Sequence, residues 1–177
     1  MSDSKSLNMN KLNETLRAEA IAMGLCQQWQ GDWVTNKSSA DLIEMYKRGI
    51  DFCFDREWPS CDWIVTQFDQ AELQDKNVFI RTSGGEIVLS NGVAVVRECC
   101  NVVITIPRNA VVTLHCQRNS NLSIKLLKGA KAFIHLHDST AEIEAIDTMT
   151  TAKVYQYNPE IEVVANGNVV VKDGSMQ

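Results

Sequence analysis

The sequence lacks the features that define several classes of protein. It has no run of about 18 apolar residues, so no membrane-spanning helix is expected. The first residues, MSDSKSLNMNKLNE, contain no apolar stretch of the kind found in signal peptides. Residues 1–76 carry the whole net charge of −5, and residues 77–177 hold equal numbers of acidic and basic side chains. We therefore expect a cytoplasmic protein with no general nucleic-acid-binding or membrane-binding surface.

Motifs for catalysis and for cofactors are also missing. Nothing resembles a phosphate-binding GxxxxGK loop, and the six cysteines show neither CxxC spacing nor a disulfide framework. Most of the cysteines lie inside apolar runs, which indicates reduced, inert thiols, and Cys100 is expected to face the core. The sequence predicts no cofactor, no metal and no catalytic residue, so an enzyme is the less favoured class.

Helical patterns occupy the first part of the chain, residues 1–76. After polar residues 1–8, which we expect to be disordered or frayed, Asn10 is a candidate cap for a helix over about 11–30, with Gly31 as its stop. Ser38 or Ser39 begins a second, unusually apolar helix over about 40–54. Ser60 is positioned to cap a short third helix, and residues 70–76 are predicted to be a polar connector. About three helices are expected, with all four tryptophans in a small aromatic core.

From Asn77 onward the apolar period changes from helical spacing to alternation. Between Cys100 and Ala165 the sequence divides into lines of about ten residues, each an alternating run followed by a turn-like cluster. Alternate side chains of a strand point to the same face, so each line has an inward row. Five such rows are apolar or small except at Gln156: Val102/Ile104/Ile106, Val112/Leu114/Cys116, Leu122/Ile124/Leu126, Ala132/Ile134/Leu136 and Ala152/Val154/Gln156.

One line is out of phase with the others. In it Glu142 and Glu144 fall at inward positions, so Ala141, Ile143 and Ala145 must take their place. A one-residue slip of this kind needs a bulge or a shortened corner.

Two architectures fit such lines. A hairpin meander or sandwich needs tight two-residue turns rich in Asn-Gly or Gly-Gly, whereas only one of the connecting pairs here contains glycine. A β-solenoid with two strands and about 20 residues per coil accepts these corners more readily. We therefore favour an α+β protein: an N-terminal helical region (1–76) followed by a short β-solenoid (77–177). Its helices are expected to cover one end or one face of the coils.

The repeat pattern resembles that of the bactofilin family and of short β-helix repeats in bacterial and phage proteins. This resemblance covers about half of the chain and implies a fold, not an active site. The N-terminal segment, LCQQWQGDW through CDWIVTQFD, is similar to the helical start of uncharacterised proteins encoded in bacterial genomes and prophages. That similarity implies a phage-related context and no particular activity.

The solenoid period predicts which outward residues are neighbours, because residues 20 apart stack on adjacent coils. His115, His135 and Tyr155 form one column. Gln117, His137 and Tyr157 form the next column, and Thr113, Phe133 and Lys153 form a third. All three histidines and two of the three tyrosines of the chain thus lie on one face. The candidate binding residues are His115, Phe133, His135, His137, Tyr155 and Tyr157.

Three interpretations of this face stay open. The columns are structural stacks, or they bind a protein partner or glycan through flat, hydrogen-bonding side chains, or the histidines bind a metal ion. The preferred function is a non-enzymatic structural or interaction module that binds a protein partner or self-associates, for example as a homo-oligomer stacked end to end. The alternative is a carbohydrate-binding protein or metal-dependent enzyme that uses this face.

Overall fold

The computed structural model describes residues 2–33 and 37–176, with side chains from residue 10 onward and up to residue 175. The chain forms two compact units, Met1–Ser60 and Cys61–Gln177. The first unit is helical. The second contains two short helices and all of the strands. Within the described residues, no helix has the length and apolar character needed to cross a bilayer.

Four helices make up the first unit: α1 (Ser2–Ala22), α2 (Gln27–Asp32), α3 (Ser39–Arg48) and α4 (Ile50–Asp55). The predicted single helix over 11–30 is wrong, because Gly24 adopts a φ of +93° and ends α1. Of the two expectations for residues 1–8, disorder is wrong for residues 2–8, since α1 begins at Ser2. Ser38 caps α3 as predicted, in a capping box with Asp41. Gly49 divides the predicted second helix into α3 and α4.

Two more helices, α5 (Cys61–Gln67) and α6 (Gln70–Asp75), belong to the second unit. Residues 70–76 are therefore mostly helix and not a polar connector. The reason is a cap that the sequence analysis overlooked: the Asp69 carboxylate accepts hydrogen bonds from the backbone N–H groups of Ala71 and Glu72. Leu73 is buried on this helix, and α6 packs against the first strand.

Eleven strands follow, and every pairing between them is parallel. Odd-numbered strands form one sheet and even-numbered strands the other. In the middle coils the register joins residues 20 apart, as in Val112↔Ala132. This topology is a β-solenoid of about five turns with two strands per coil, so the solenoid is confirmed over the meander. The strands are β1 (Val78–Ile80), β2 (Glu86–Val88), β3 (Gly92–Arg97), β4 (Val102–Ile106), β5 (Val111–Gln117), β6 (Asn121–Leu126), β7 (Lys131–Leu136), β8 (Thr140–Ala145), β9 (Thr151–Gln156), β10 (Val163–Asn166) and β11 (Val169–Asp173).

The core lies between the two sheets and consists of the predicted inward rows. Ile104, Leu114, Ile124 and Ile134 have no exposed surface. Each buried side chain of this size stabilises the fold by roughly 1.5–3 kcal/mol through removal from water.

The phase slip is confirmed, and a shortened corner absorbs it. Ala141 and Ile143 are buried, whereas Glu142 and Glu144 are exposed. The pairing Leu122↔Ala141 joins residues 19 apart instead of 20. Only residues 137–139 separate β7 from β8, and the longer segment 146–150 that follows restores the phase.

The corners turn without many glycines because polar residues adopt left-handed backbone angles there. Asn109, Arg118, Asn119 and Asp138 all have φ between +48° and +62°. Asparagine and aspartate tolerate this region better than other residues with a side chain. The corner side chains also bond between coils, as in the 3.0 Å hydrogen bond from Asn158 Nδ2 to Asp138 Oδ1.

Candidate functional site

The outward rows of the odd sheet bring the predicted residues together as stacked rings. Parallel pairing places His115 beside His135 and His135 beside Tyr155. The rings of His115 and His135 are 4.6 Å apart at 11°, and those of His135 and Tyr155 are 4.9 Å apart at 25°. These distances match the spacing of about 4.8 Å between neighbouring strands, so the stack follows directly from the fold.

A second stack lies beside the first. His137 and Tyr157 have ring centroids 3.9 Å apart at 10°. The hydroxyl of Tyr157 lies 3.0 Å from His135 Nδ1, and this hydrogen bond connects the two stacks. On the other side of the Tyr157 ring lies Gly174, where an added Cβ would come within 2.9 Å of the ring carbons. The ring of Tyr157 is thus enclosed between His137 and the backbone of Gly174.

Phe133 and Lys153 form the third column, with Lys153 Nζ 5.9 Å from the centre of the Phe133 ring. Phe133 is 37% exposed, and Lys153 is exposed as well. This column is the most accessible part of the predicted face, because His135, His137, Tyr155 and Tyr157 are only partly exposed. We define the rings of His115, His135, His137, Tyr155 and Tyr157 as the His–Tyr ladder.

His115 lies at the buried end of the ladder, with 7% of its surface exposed. Burial, together with the smaller effect of the neighbouring His135 and His137, lowers its pKa to about 3. The His115 imidazole is therefore neutral at physiological pH. A residue of the adjoining row was missed by sequence reasoning: Arg97 is fully buried and pairs in register with Gln117. The same 20-residue period, applied one coil earlier, would have found it.

The ladder does not have the geometry of a metal centre. Among the described residues, no three His, Cys, Asp or Glu side chains converge closely enough to hold a metal ion. The imidazole rings stack in parallel along the solenoid axis. Their nitrogen atoms therefore do not converge on one position where a metal ion could bind. The arrangement does not support the metal hypothesis for His115, His135 and His137.

Stacking also bears on glycan binding. A sugar ring packs on the face of an aromatic side chain. Both faces of His135 contact other rings of the ladder, and Tyr157 is covered on both sides. The ladder mainly presents ring edges to solvent, which suits structural stacking better than sugar binding.

The other sheet carries a shallow groove of about 420 Å³. Its lining includes the carboxylates Glu142 and Glu162 and the small polar side chains Asn121, Ser123 and Thr140. Glu142 and Glu162 are both exposed. Because both carboxylates are exposed, this groove lacks the buried acid that usually accompanies a second carboxylate in glycoside hydrolysis.

The cysteines are free thiols in the described structure. Burial raises the pKa of the Cys99 thiol and, more strongly, that of Cys116, so both remain protonated and poorly nucleophilic. The prediction that Cys100 faces the core is wrong, because it is exposed and its neighbour Cys99 is buried instead. The positive φ of Glu98 and Asn101 at this corner changes the alternation on which that prediction rested.

The C-terminal coil differs from all others in its exposure. Val169 and Val171 pair with Ala152 and Val154 and so continue the inward rows, yet Val171 is 41% exposed. Strand β11 pairs only with β9, and β10 only with β8, so each leaves one edge without a strand partner among residues 2–33 and 37–176. Half-exposed core positions and unpaired strand edges coincide at this end of the solenoid.

Comparison of the chain with models of protein families, with curated proteins and with solved structures finds no match. The function must be inferred from the geometry.

Proposed function

We propose that this chain is a non-enzymatic structural or interaction module that self-associates through its open C-terminal coil. One observation carries this proposal: β10 and β11 each have an edge without a strand partner, at the same end where the inward-row residue Val171 is 41% exposed. An exposed, apolar strand edge is a template for pairing with another chain. Natural proteins usually protect such edges with charge, proline or bulges, and in β11 the only charged residues are Lys172 and Asp173 at its end, after Val169-Val170-Val171.

The opposite end of the solenoid is closed in comparison. Phe79, Ile87 and Leu89 occupy inward positions of the first coil and are 7% exposed or less. Helix α6, which belongs to the same compact unit, packs against β1. The solenoid is therefore capped at one end and uncapped at the other, as repeat proteins that dock through a terminal repeat would be.

The His–Tyr ladder supports a structural role within this module. Its rings mainly contact one another, so they strengthen the odd sheet along the solenoid axis. Binding of a separate protein partner at His115, Phe133, His135, His137, Tyr155 and Tyr157 stays a prediction, with Phe133 as its most accessible residue. Carbohydrate binding and metal-dependent catalysis at this face receive no support from the stacking.

Relation to bactofilin-like or prophage-encoded proteins is proposed from sequence pattern alone. A cytoplasmic location is proposed because all six cysteines are free thiols, which fits a reducing compartment.

Sedimentation velocity over a wide range of protein concentration, in about 0.5 M salt to screen surface charge, tests the proposal. The wild-type protein is expected to form larger species as concentration rises. Val171→Glu places a charge in the exposed inward row and is expected to abolish association. Val170→Glu is the matched control, because it lies on the same strand but points outward, and it is expected to associate normally. A wild-type protein that stays monomeric, or two variants that behave alike, would contradict the proposal.

A further inference from the structure

The two outer faces of the solenoid carry opposite charge. On the odd sheet, the outward positions of β5, β7, β9 and β11 include three exposed lysines, Lys131, Lys153 and Lys172, and no Asp or Glu. We call this surface the lysine face. Exposed apolar side chains lie between the lysines, namely Phe133 and Val170. None of the three lysines forms an ion pair within the described part of the chain.

The even sheet has the opposite pattern. Its outward positions include three exposed glutamates, Glu86, Glu142 and Glu144, and one lysine, Lys125. We call this surface the acidic face. Glu86 accepts a hydrogen bond from Thr105, and in the part of the chain that the structure describes Glu142 and Glu144 make no ion pair. Exposed Val88 and Val164 supply apolar contact area, as Phe133 and Val170 do on the lysine face.

The segregation follows from the strand alternation and not from the overall composition. Residues 77–177 have equal numbers of acidic and basic side chains, so the separation of charge does not reflect an excess of either sign. A surface with mixed signs would be the ordinary arrangement for a soluble domain. Two sheet faces of opposite charge, each with exposed apolar side chains, are complementary to each other in charge and both offer apolar contact area. Sheets of this kind pack face to face about 10 Å apart.

We propose that the lysine face of one copy docks on the acidic face of a second copy. The contact is heterologous, since each copy offers a lysine face to one neighbour and an acidic face to the other, and so it extends sideways to further copies. It uses the outer faces of the two sheets, to which β11 contributes Lys172 and Val170, and not the open end of the C-terminal coil. The groove lined by Ser123, Glu142 and Val164 lies within the acidic face and forms its recessed part.

Salt dependence separates this contact from the one at the open coil. Complementary faces attract most strongly when charges are least screened, so lateral assembly is expected at about 0.01 M salt and is expected to disappear at about 0.5 M. A chain with a net charge of −5 and mixed surfaces would show the opposite trend, because net repulsion grows at low salt. Association through the apolar end of the solenoid persists at high salt.

The test uses charge reversal of each face and sedimentation velocity at low salt. The lysine-face variant carries Lys131→Glu and Lys153→Glu, and the acidic-face variant carries Glu142→Lys and Glu144→Lys. Each variant alone is expected to lose lateral assembly, with association weakened about tenfold or more. An equimolar mixture of the two is expected to regain it, because each supplies the charge that the other lacks.

Arg108→Glu with Lys128→Glu is the matched control. It makes the same change in net charge as the lysine-face variant, at exposed corner positions that lie on neither face, and it is expected to assemble like the wild type. Failure of the mixture to assemble, or loss of assembly in the control, would overturn the proposal. The wild-type protein could also fail to assemble by itself and yet bind a polyglutamate peptide. That result would overturn the proposal, because the lysine face would then bind a separate acidic partner and not a second copy.

Discussion

The stability of this protein should fall on mild acidification, and His115 should account for a measurable part of the fall. His115 is 7% exposed and lies against His135 with ring centroids 4.6 Å apart. Its pKa falls from an ordinary 6.5 to about 3 on folding, chiefly through burial. The unfolded chain therefore binds a proton on this side chain at pH values where the folded chain does not, and stability is lost as the pH falls below 6.5.

The size of the effect follows from the two pKa values. Each pH unit below the unfolded pKa costs about 1.36 kcal/mol until the folded pKa is reached. Between about pH 7.5 and about pH 5, His115 alone should lower the free energy of unfolding by about 2 kcal/mol. This figure would hardly change if the folded pKa were one unit higher, because His115 would still be neutral in the folded protein at pH 5.

Urea denaturation at these two pH values checks the prediction. His115→Gln removes the titrating ring, so the drop in unfolding free energy between the two pH values should be about 2 kcal/mol smaller in the variant than in the wild type. His115→Phe retains a flat ring in the stack and should show the same reduced pH dependence if His115→Gln folds poorly. An unchanged pH dependence in both variants would refute the assignment of His115 as a buried, neutral imidazole.

Two further predictions concern the packing of the solenoid. Ile143→Ala should lower the free energy of unfolding by about 2–5 kcal/mol because it opens a cavity in the core. The neighbouring Glu142→Ala, on the exposed side of the slipped strand, should change it by about 0.5 kcal/mol or less; equal effects in thermal or urea unfolding would contradict the observed phase. Gly174→Ala should push the Tyr157 ring off His137, since the added Cβ lies 2.9 Å from the ring carbons, and should cost about 1 kcal/mol with a change in near-ultraviolet circular dichroism. The control Gly31→Ala, where nothing lies within 4 Å of the added Cβ, should leave that spectrum unaltered.

The solenoid could be predicted from sequence because the alternation of apolar and polar residues in each strand shows which side chains point inward. Alternation at Val102, Ile104 and Ile106 fixes which side chains are buried, and the 20-residue spacing of similar lines fixes which strands are neighbours. The phase slip at Glu142 and Glu144 can also be read from the sequence, since an unpaired charged side chain is too costly at an inward position that is shielded from water. The ladder follows from the same register, because His115, His135 and Tyr155 are spaced by one coil.

The helical unit was less predictable because its boundaries depend on single residues. Gly24 ends α1 and Gly49 separates α3 from α4, and in each case the helical apolar pattern continues across the break. Helix α6 depends on the Asp69 cap and on packing against β1. Its polar sequence gives little sign of that packing. The exposure of Cys100 depends on the backbone angles of the corner that contains it, which alternation alone does not reveal.

Amide hydrogen exchange of β11, followed at increasing protein concentration in about 0.5 M salt, tests the self-association of the open coil most directly. In a parallel ladder, alternate N–H groups of β11 point away from β9 toward the unpaired edge. Pairing with a second copy would protect these amides, so their exchange should slow as concentration rises, while amides of β2 at the other end should not change. Exchange in β11 that is independent of concentration, or protection that appears at β2 instead, would contradict assembly through the C-terminal coil.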